Sequence, residues 1–243
     1  MSINRLDAEL VRRGLYQSRE RAKKAIEAEL VLVCSKTVIK PSFCVDENTM
    51  IEILGDPIGY VGRGGLKLMQ AVEYWKIDLN GTTAMDVGAS TGGFTQCLLR
   101  NGAKCVYSVD VGHGQLSPEL LSDKRIYNYE GNDIRGFDPG ILFDFVTVDV
   151  SFISLALVLP DIFRLMKHGA KLVCLVKPQF ELTRKDLSKK GIVKTPKLRI
   201  EALDKIRKIA LMTGLFELGH IESSIQGRDG NVEYLLFLQK PGT

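Results

Sequence analysis

From residue 83 onward the chain alternates between short apolar runs and stretches with helical spacing. Runs of strand length fall at 84–87, 104–110, 125–129, 143–149 and 170–176. Leu155 to Lys167 predicts a helix with Pro160 near its first turn. Thr195-Pro196 opens another that runs to Thr213 and stops at Gly214. Two last β-runs, Leu215 to Ser223 and Val232 to Gln239, flank Gly227-Arg228-Asp229-Gly230-Asn231, a hairpin signal. The pattern predicts an α/β fold with a mostly parallel, doubly wound sheet closed by an antiparallel hairpin.

The first 54 residues have another rhythm. Leu6, Leu10, Val11 and Leu15 share one face of a helix that stops at Gly14. Ser18 is placed to cap a second helix, Arg19 to Ala28, with Ala22, Ala25 and Ile26 turned inward. β-type runs follow at 30–33, 37–39 and 50–54. Residues 1–54 therefore read as a small α+β module and 55–64 as a linker rich in Gly. Residues 65–243 read as the larger domain, opened by a helix from Leu66 to Trp75.

One stretch stands out chemically: Asp86-Val87-Gly88-Ala89-Ser90-Thr91-Gly92-Gly93-Phe94, between a predicted strand and a helix over 95–100. Strand, glycine-rich turn and helix deliver a ligand to a helix N-terminus. Gly88 suits the tight turn, and Gly92 and Gly93 present no side chain to a ligand on the backbone. The next strand ends in Asp110, placed to accept hydrogen bonds from ribose hydroxyls. A nucleoside-type cofactor follows. The spacing is not G-x-G-x-x-G, which disfavours a nicotinamide dehydrogenase.

The net charge of +4 does not by itself demand nucleic acid. Charge is sorted, however. Residues 12–24 hold six basic side chains against Glu20 alone, although residues 1–54 balance nine against eight. Such sorting suits phosphate binding or a solvated helix face. Residues 182–199 hold seven basic side chains against Asp186 alone, which fits either a mobile RNA clamp or a solvated loop. The five cysteines form no C-x-x-C and only three histidines are present, so no metal site is expected. Cysteines within strands suit a reducing compartment. No run approaches the ~18 apolar residues of a membrane span, and no signal-peptide core is seen, so a cytoplasmic, soluble protein is expected.

In open α/β sheets, ligands bind beyond the carboxyl ends of the strands. There stand the glycine turn, Asp110, Asn132-Asp133, Asp149 and Lys177. A charge closing an apolar strand costs desolvation unless it is used or paired. Asp149 and Lys177 are therefore either catalytic or an ion pair holding the sheet end. A lysine beside a second ammonium, or partly desolvated, can act as a base near neutral pH. Lys67 could be that ammonium, and Glu233 could complete the cluster.

Two resemblances add to this reading. RLDAELVRRGLYQSRERAKKAI with the β-run after it resembles the S-four type RNA-binding domain. It departs at Val33-Cys34-Ser35-Lys36, where that family carries a Val-Asn-Gly turn. GRGGLKL, DVGASTGGF, VDVGHGQL, TVDVSFISL, LVKPQFE and GNVEYLLF, in this order, resemble the TlyA or haemolysin-A family. These are bacterial ribosomal-RNA 2′-O-methyltransferases with an FtsJ-like catalytic domain.

The resemblance implies a Rossmann-like class I methyltransferase sheet and S-adenosyl-L-methionine as cofactor. It implies ribosomal RNA in ribosomal subunits as partner, and a cytidine ribose as acceptor. The family's Lys-Asp-Lys-Glu tetrad falls on Lys67, Asp149, Lys177 and Glu233, with Lys177 as base. Its cofactor site falls on Gly88, Ala89, Ser90, Thr91, Gly92, Gly93 and Phe94, with Asp110 on the ribose, Asp133 on the adenine side, and Asp149. RNA contacts are expected at Arg5, Arg12, Arg13, Arg19, Arg21, Lys23 and Arg63. The family's other name suggests a membrane-active haemolysin, which the lack of a spanning segment or long amphipathic helix disfavours. An RNA-binding protein without transferase activity is disfavoured by the filled tetrad.

Overall fold

The computed structural model describes every residue except 1, 2, 14, 17, 18, 55–59, 228, 229 and 243, and only the backbone of Arg21. The helix stop at Gly14, the cap at Ser18, the linker stretch 55–59, the Arg228-Asp229 part of the hairpin turn and the Arg21 side chain lie outside the described residues. The chain forms two compact units, Met1–Leu66 and Lys67–Thr243.

The smaller unit contains β1 (Asn4–Arg5), α1 (Leu6–Arg12), α2 (Arg19–Glu27), β2 (Val31–Val33), β3 (Lys36–Thr37), β4 (Cys44–Val45) and β5 (Ile51–Ile53). Leu6 and Leu10 of α1 meet Ala22, Ala25 and Ile26 of α2, all fully buried. Leu15, expected on that face, instead lies beyond the end of α1 and is 40% exposed. β2 pairs with β3 and β5, and β1 pairs with β4. The two-residue strands β1 and β4 are too short to leave a periodic signal. Cys34 and Ser35 have φ of 49° and 61°, so the β2–β3 turn keeps left-handed geometry at both central residues without glycine.

The larger unit carries α3 (Gly64–Trp75) from Lys67 onward, β6 (Thr83–Val87), α4 (Gly93–Arg100), β7 (Cys105–Asp110), α5 (Pro118–Leu121) and β8 (Ile126–Glu130). It continues with β9 (Phe143–Val148), α6 (Leu159–Leu165), β10 (Met166–Val176), α7 (Pro178–Glu181), α8 (Pro196–Thr213), β11 (Phe216–Glu222) and β12 (Tyr234–Gln239). Seven strands form one sheet in the order β11-β12-β10-β9-β6-β7-β8. β12 runs antiparallel to both neighbours, and the other pairings are parallel. The predicted hairpin thus does more than close an edge, because its second strand inserts between its first and β10. On one face Val87, Val148, Leu172, Cys174 and Leu236 join one buried cluster with Leu159 and Ile162 of α6 and Leu203, Ile206 and Ala210 of α8.

The predicted helix over 155–167 is divided. A 3-10 turn covers Leu155–Leu157, capped by the Ser154 hydroxyl, and α6 ends at Leu165. β10 then begins at Met166, four residues earlier than expected. The Lys240 ammonium explains the stop: it donates to the carbonyls of Phe163 (2.9 Å) and Met166 (2.8 Å). That cation lies 74 residues or more from the carbonyls it serves, beyond the reach of local sequence reading.

Candidate active site

Parallel strands put their carboxyl ends along one edge of the sheet. β12 runs the other way, so its start lies on that same edge, with Tyr234 paired to Val176. Glu233, just before β12, and Lys177, just after β10, are therefore neighbours by topology. Asp149 follows β9, and its backbone N–H donates to Val87 O at 2.9 Å beside the glycine turn. α3 supplies the fourth member: Trp75 stacks on Phe237 of β12 (5.0 Å between rings) and Gln70 bonds to Glu222 and Ser224 at the end of β11. Docked this way, the helix delivers Lys67 to Glu233.

The result is two ion pairs. Lys67 Nζ lies 2.6 Å from Glu233 Oε2, with both side chains at most 5% exposed. Lys177 Nζ lies 2.8 Å from Asp149 Oδ1, and this pair is partly open to solvent. Lys177 also donates to Ser151 Oγ at 2.7 Å. Gln179, two residues after Lys177 in α7, donates to Glu233 Oε1 at 3.5 Å. Gly227 packs closely against this pair, since a Cβ there would lie 2.5 Å from Glu233 Oε1. The expected location of Lys67 on the opening turn of its helix is correct, and its buried carboxylate partner offsets the unfavourable dipole.

The glycine turn stands as predicted between β6 and α4, with part of its rationale revised. Gly88 has φ +80°, and a Cβ there would come within 2.6 Å of the Asp149 carbonyl oxygen. Gly92, expected to clear space for a ligand, instead clears space for Leu120 and Leu116, which a Cβ would meet at 2.3 and 2.7 Å. Ser90 and Thr91 face solvent, whereas Ala89, Gly93 and Phe94 are buried or nearly so. Asp110 accepts from the backbone N–H groups of Ser90 and Gly112, both at 2.8 Å, so it braces the turn and the following loop. Asp133 is tied to Arg135 at 2.6 Å, which holds its carboxyl below the usual range.

Several residues here went unremarked in the sequence. Glu130 accepts the N–H groups of Leu116, Gly114 and Gln115, which fix the loop after Asp110 and hold the Glu130 carboxyl below its ordinary range. Val111, directly after Asp110, is 69% exposed, an apolar side chain at the mouth of the site. Asp86 is buried and accepts from Thr95 (2.7 Å) and Thr147 (2.9 Å). Burial pushes its carboxyl up to about 6 despite those bonds. Thr95 also bonds to Ser108 at 2.8 Å, so one polar network joins β6, α4, β7 and β9 under the site. The exposed Ser90 and Thr91 of the glycine turn, an acid at the end of β7 and the exposed Val111 beside it form a polar and apolar set that fits an adenosine-bearing amino acid.

Four arginines of the smaller unit have buried counter-ions. Asp7 pairs with Arg5 (3.1 Å) and Arg19 (2.9 Å). Glu9 pairs with Arg12 (2.5 Å) and Arg13 (2.8 Å), which hold its carboxyl down to about 2. Arg13 also donates to the carbonyls of Thr49, Asp46 and Glu47, a structural task. Arg63 is drawn toward Glu29 at 3.5 Å and is mostly buried. Arg5, Arg12, Arg19 and Lys23 remain more than half exposed. The 182–199 stretch, read from its charge as either a mobile RNA clamp or a solvated loop, is anchored at its middle. Asn231 accepts from Val193 N–H (3.0 Å) and donates to Gly191 O (3.1 Å).

A seven-stranded sheet with one inserted antiparallel strand, and a glycine turn at the carboxyl edge, define a Rossmann-like methyltransferase of class I. The FtsJ-like methyltransferase family matches residues 60–240. The chain is 40% identical over 239 residues to a Mycobacterium tuberculosis protein named 16S/23S rRNA (cytidine-2′-O)-methyltransferase TlyA, covering 97% of this chain and 89% of that one. It is 37% identical over 235 residues to hemolysin A of Brachyspira hyodysenteriae, covering 95% and 98%. A solved structure from Streptococcus thermophilus that bears the name hemolysin superposes with a TM-score of 0.76 at 38% identity, covering 99% of this chain and 90% of that one. The chain belongs to the FtsJ-like methyltransferase family, and the protein is a methyltransferase.

Proposed function

We propose that the protein methylates a ribose 2′-hydroxyl of ribosomal RNA, on a cytidine, using S-adenosyl-L-methionine. The observation that carries this reading is the convergence of Lys67–Glu233 and Lys177–Asp149 at the edge where the glycine turn opens. In this reading residues 1–54 are an S-four type RNA-binding domain, 55–64 a linker and 65–243 the catalytic domain. Arg5, Arg12, Arg19 and Lys23 offer exposed charge to RNA phosphates. Ribosomal subunits are the partner and the cytoplasm is the place of action.

The turn from Gly88 to Phe94, with Asp110, Asp133 and Asp149, would hold the cofactor. When bound, S-adenosyl-L-methionine supplies an electrophilic methyl on a positively charged sulfur. A ribose hydroxyl is a poor nucleophile, so Lys177 accepts its proton as it attacks. Asp149 holds Lys177 in place, and Glu233 holds the Lys67 ammonium where it can stabilise charge on the oxygen. Holding both reactants at attack distance supplies much of the remaining acceleration.

The test is incubation with methyl-labelled cofactor and purified ribosomal subunits, followed by mapping of the labelled ribose. Lys177→Ala is expected to abolish labelling while cofactor affinity stays near normal; substantial turnover by that variant overturns the assignment. The relatives named hemolysin suggest a membrane activity instead. Among the described residues no helix is long and apolar enough to cross a membrane. Leakage from liposomes at enzyme concentrations that give no RNA methylation would favour that second reading.

A further inference from the structure

Lys177 Nζ makes a hydrogen bond of good geometry to Ser151 Oγ at 2.7 Å, and Asp149 Oδ1 lies beside the same nitrogen at 2.8 Å. Ser151 sits two residues after Asp149 on a segment that is held rather than loose. Glu181, buried at the end of α7, accepts from the Ser154 hydroxyl and from Leu155 N–H at 2.8 Å. The same short helix begins directly after Lys177. Between Ser151 and this anchor Phe152, itself exposed, has φ +65°, a left-handed conformation uncommon for a bulky residue. The chain thus sustains local strain in the turn that presents the Ser151 hydroxyl to Lys177.

We propose that Ser151 is a positioning residue that aims the Lys177 nitrogen at the acceptor hydroxyl; this rests on the reading of Lys177 as the base. A lysine nitrogen can rotate freely about its last carbon bond unless its N–H groups are engaged. With one N–H on Ser151 and Asp149 beside a second position, the lone pair of the neutral amine keeps the remaining tetrahedral direction. In the transfer, the 2′-oxygen–methyl bond forms as the sulfur–methyl bond breaks, and the electrons of that bond stay on sulfur. The 2′-hydroxyl proton passes to the Lys177 lone pair, and the resulting ammonium donates to Ser151. Ser151 is exposed to solvent, so its own proton is free to turn toward the substrate.

The experiment compares wild type, Ser151→Ala, Ser151→Thr and Lys177→Ala in the full chain. Single-turnover methylation of ribosomal subunits is followed against pH, with cofactor affinity measured by calorimetry. Independently, the ligand-free protein is treated with formaldehyde and borohydride across pH, and modification of Lys177 is read by mass spectrometry. Ser151→Ala is expected to slow the single-turnover rate by about tenfold to a hundredfold with cofactor affinity unchanged within about twofold. The rise of the rate with pH, and the pH at which Lys177 becomes modifiable, should both move lower, because the ammonium has lost an acceptor. Ser151→Thr should restore both. An unchanged rate and unchanged labelling in Ser151→Ala, with Lys177→Ala inactive, overturns the role of Ser151 alone. Turnover by Lys177→Ala overturns the base assignment and this inference with it.

Discussion

Replacing Glu233 by alanine strands the Lys67 ammonium in the protein interior. The pair is 2.6 Å apart, and the two side chains are 5% and 3% exposed, so little water can take over the role of the lost carboxylate. Breaking a buried pair by removing one partner costs about 3–5 kcal/mol, whereas replacing both by apolar groups is about neutral. With a urea dependence of about 2–3 kcal/mol/M, the single change should lower the unfolding midpoint of the larger unit by about 1–2.5 M. Lys67→Met with Glu233→Leu should recover most of that loss. Trp75, the chain's one tryptophan, stacks on Phe237 at the other end of α3 from this pair and within the larger unit, so its fluorescence reports unfolding of that unit. The double variant should be stable and inactive, which separates folding from chemistry. A midpoint shift under about 0.3 M for Glu233→Ala, or a double variant as unstable as the single, would refute a desolvated pair.

Gly88→Ala places a methyl 2.6 Å from the Asp149 carbonyl oxygen at φ +80°, so both cofactor affinity and stability should fall, by about 1–3 kcal/mol in stability, measured by calorimetry and urea unfolding. Asp86, held up to about 6 by burial, keeps its proton in the folded state while the unfolded chain releases it at about pH 4. Wild-type stability should therefore fall relative to Asp86→Asn as pH rises from about 4 to about 6, then stay level; urea midpoints that do not diverge across this window would contradict the assignment. Asparagine keeps an acceptor and a donor for Thr95 and Thr147, so the comparison isolates the charge. Neutralising Lys185, Lys189 and Lys190 should flatten the salt dependence of ribosomal RNA affinity, and an unchanged slope would remove the 182–199 stretch from the RNA surface.

The sequence alone determined the strand and helix alternation, the glycine turn and the chemical types standing at the strand ends. These are local properties. The unbroken apolar run Leu172 to Val176 marks a strand covered on both faces, and Gly214 stops α8 with φ +98° as its position implies. Tertiary structure decided which of those side chains meet. Lys67 and Glu233 are 166 residues apart, and only the insertion of β12 between β10 and β11 sets Glu233 beside the end of β10. It also decided which glycines serve packing, as Gly92 does beside Leu116 and Leu120, and which basic side chains are spent on buried acids, as Arg13 is on Glu9. Periodicity records which face of an element is apolar, but a polar contact across the fold depends on strand order and direction, which no local pattern encodes.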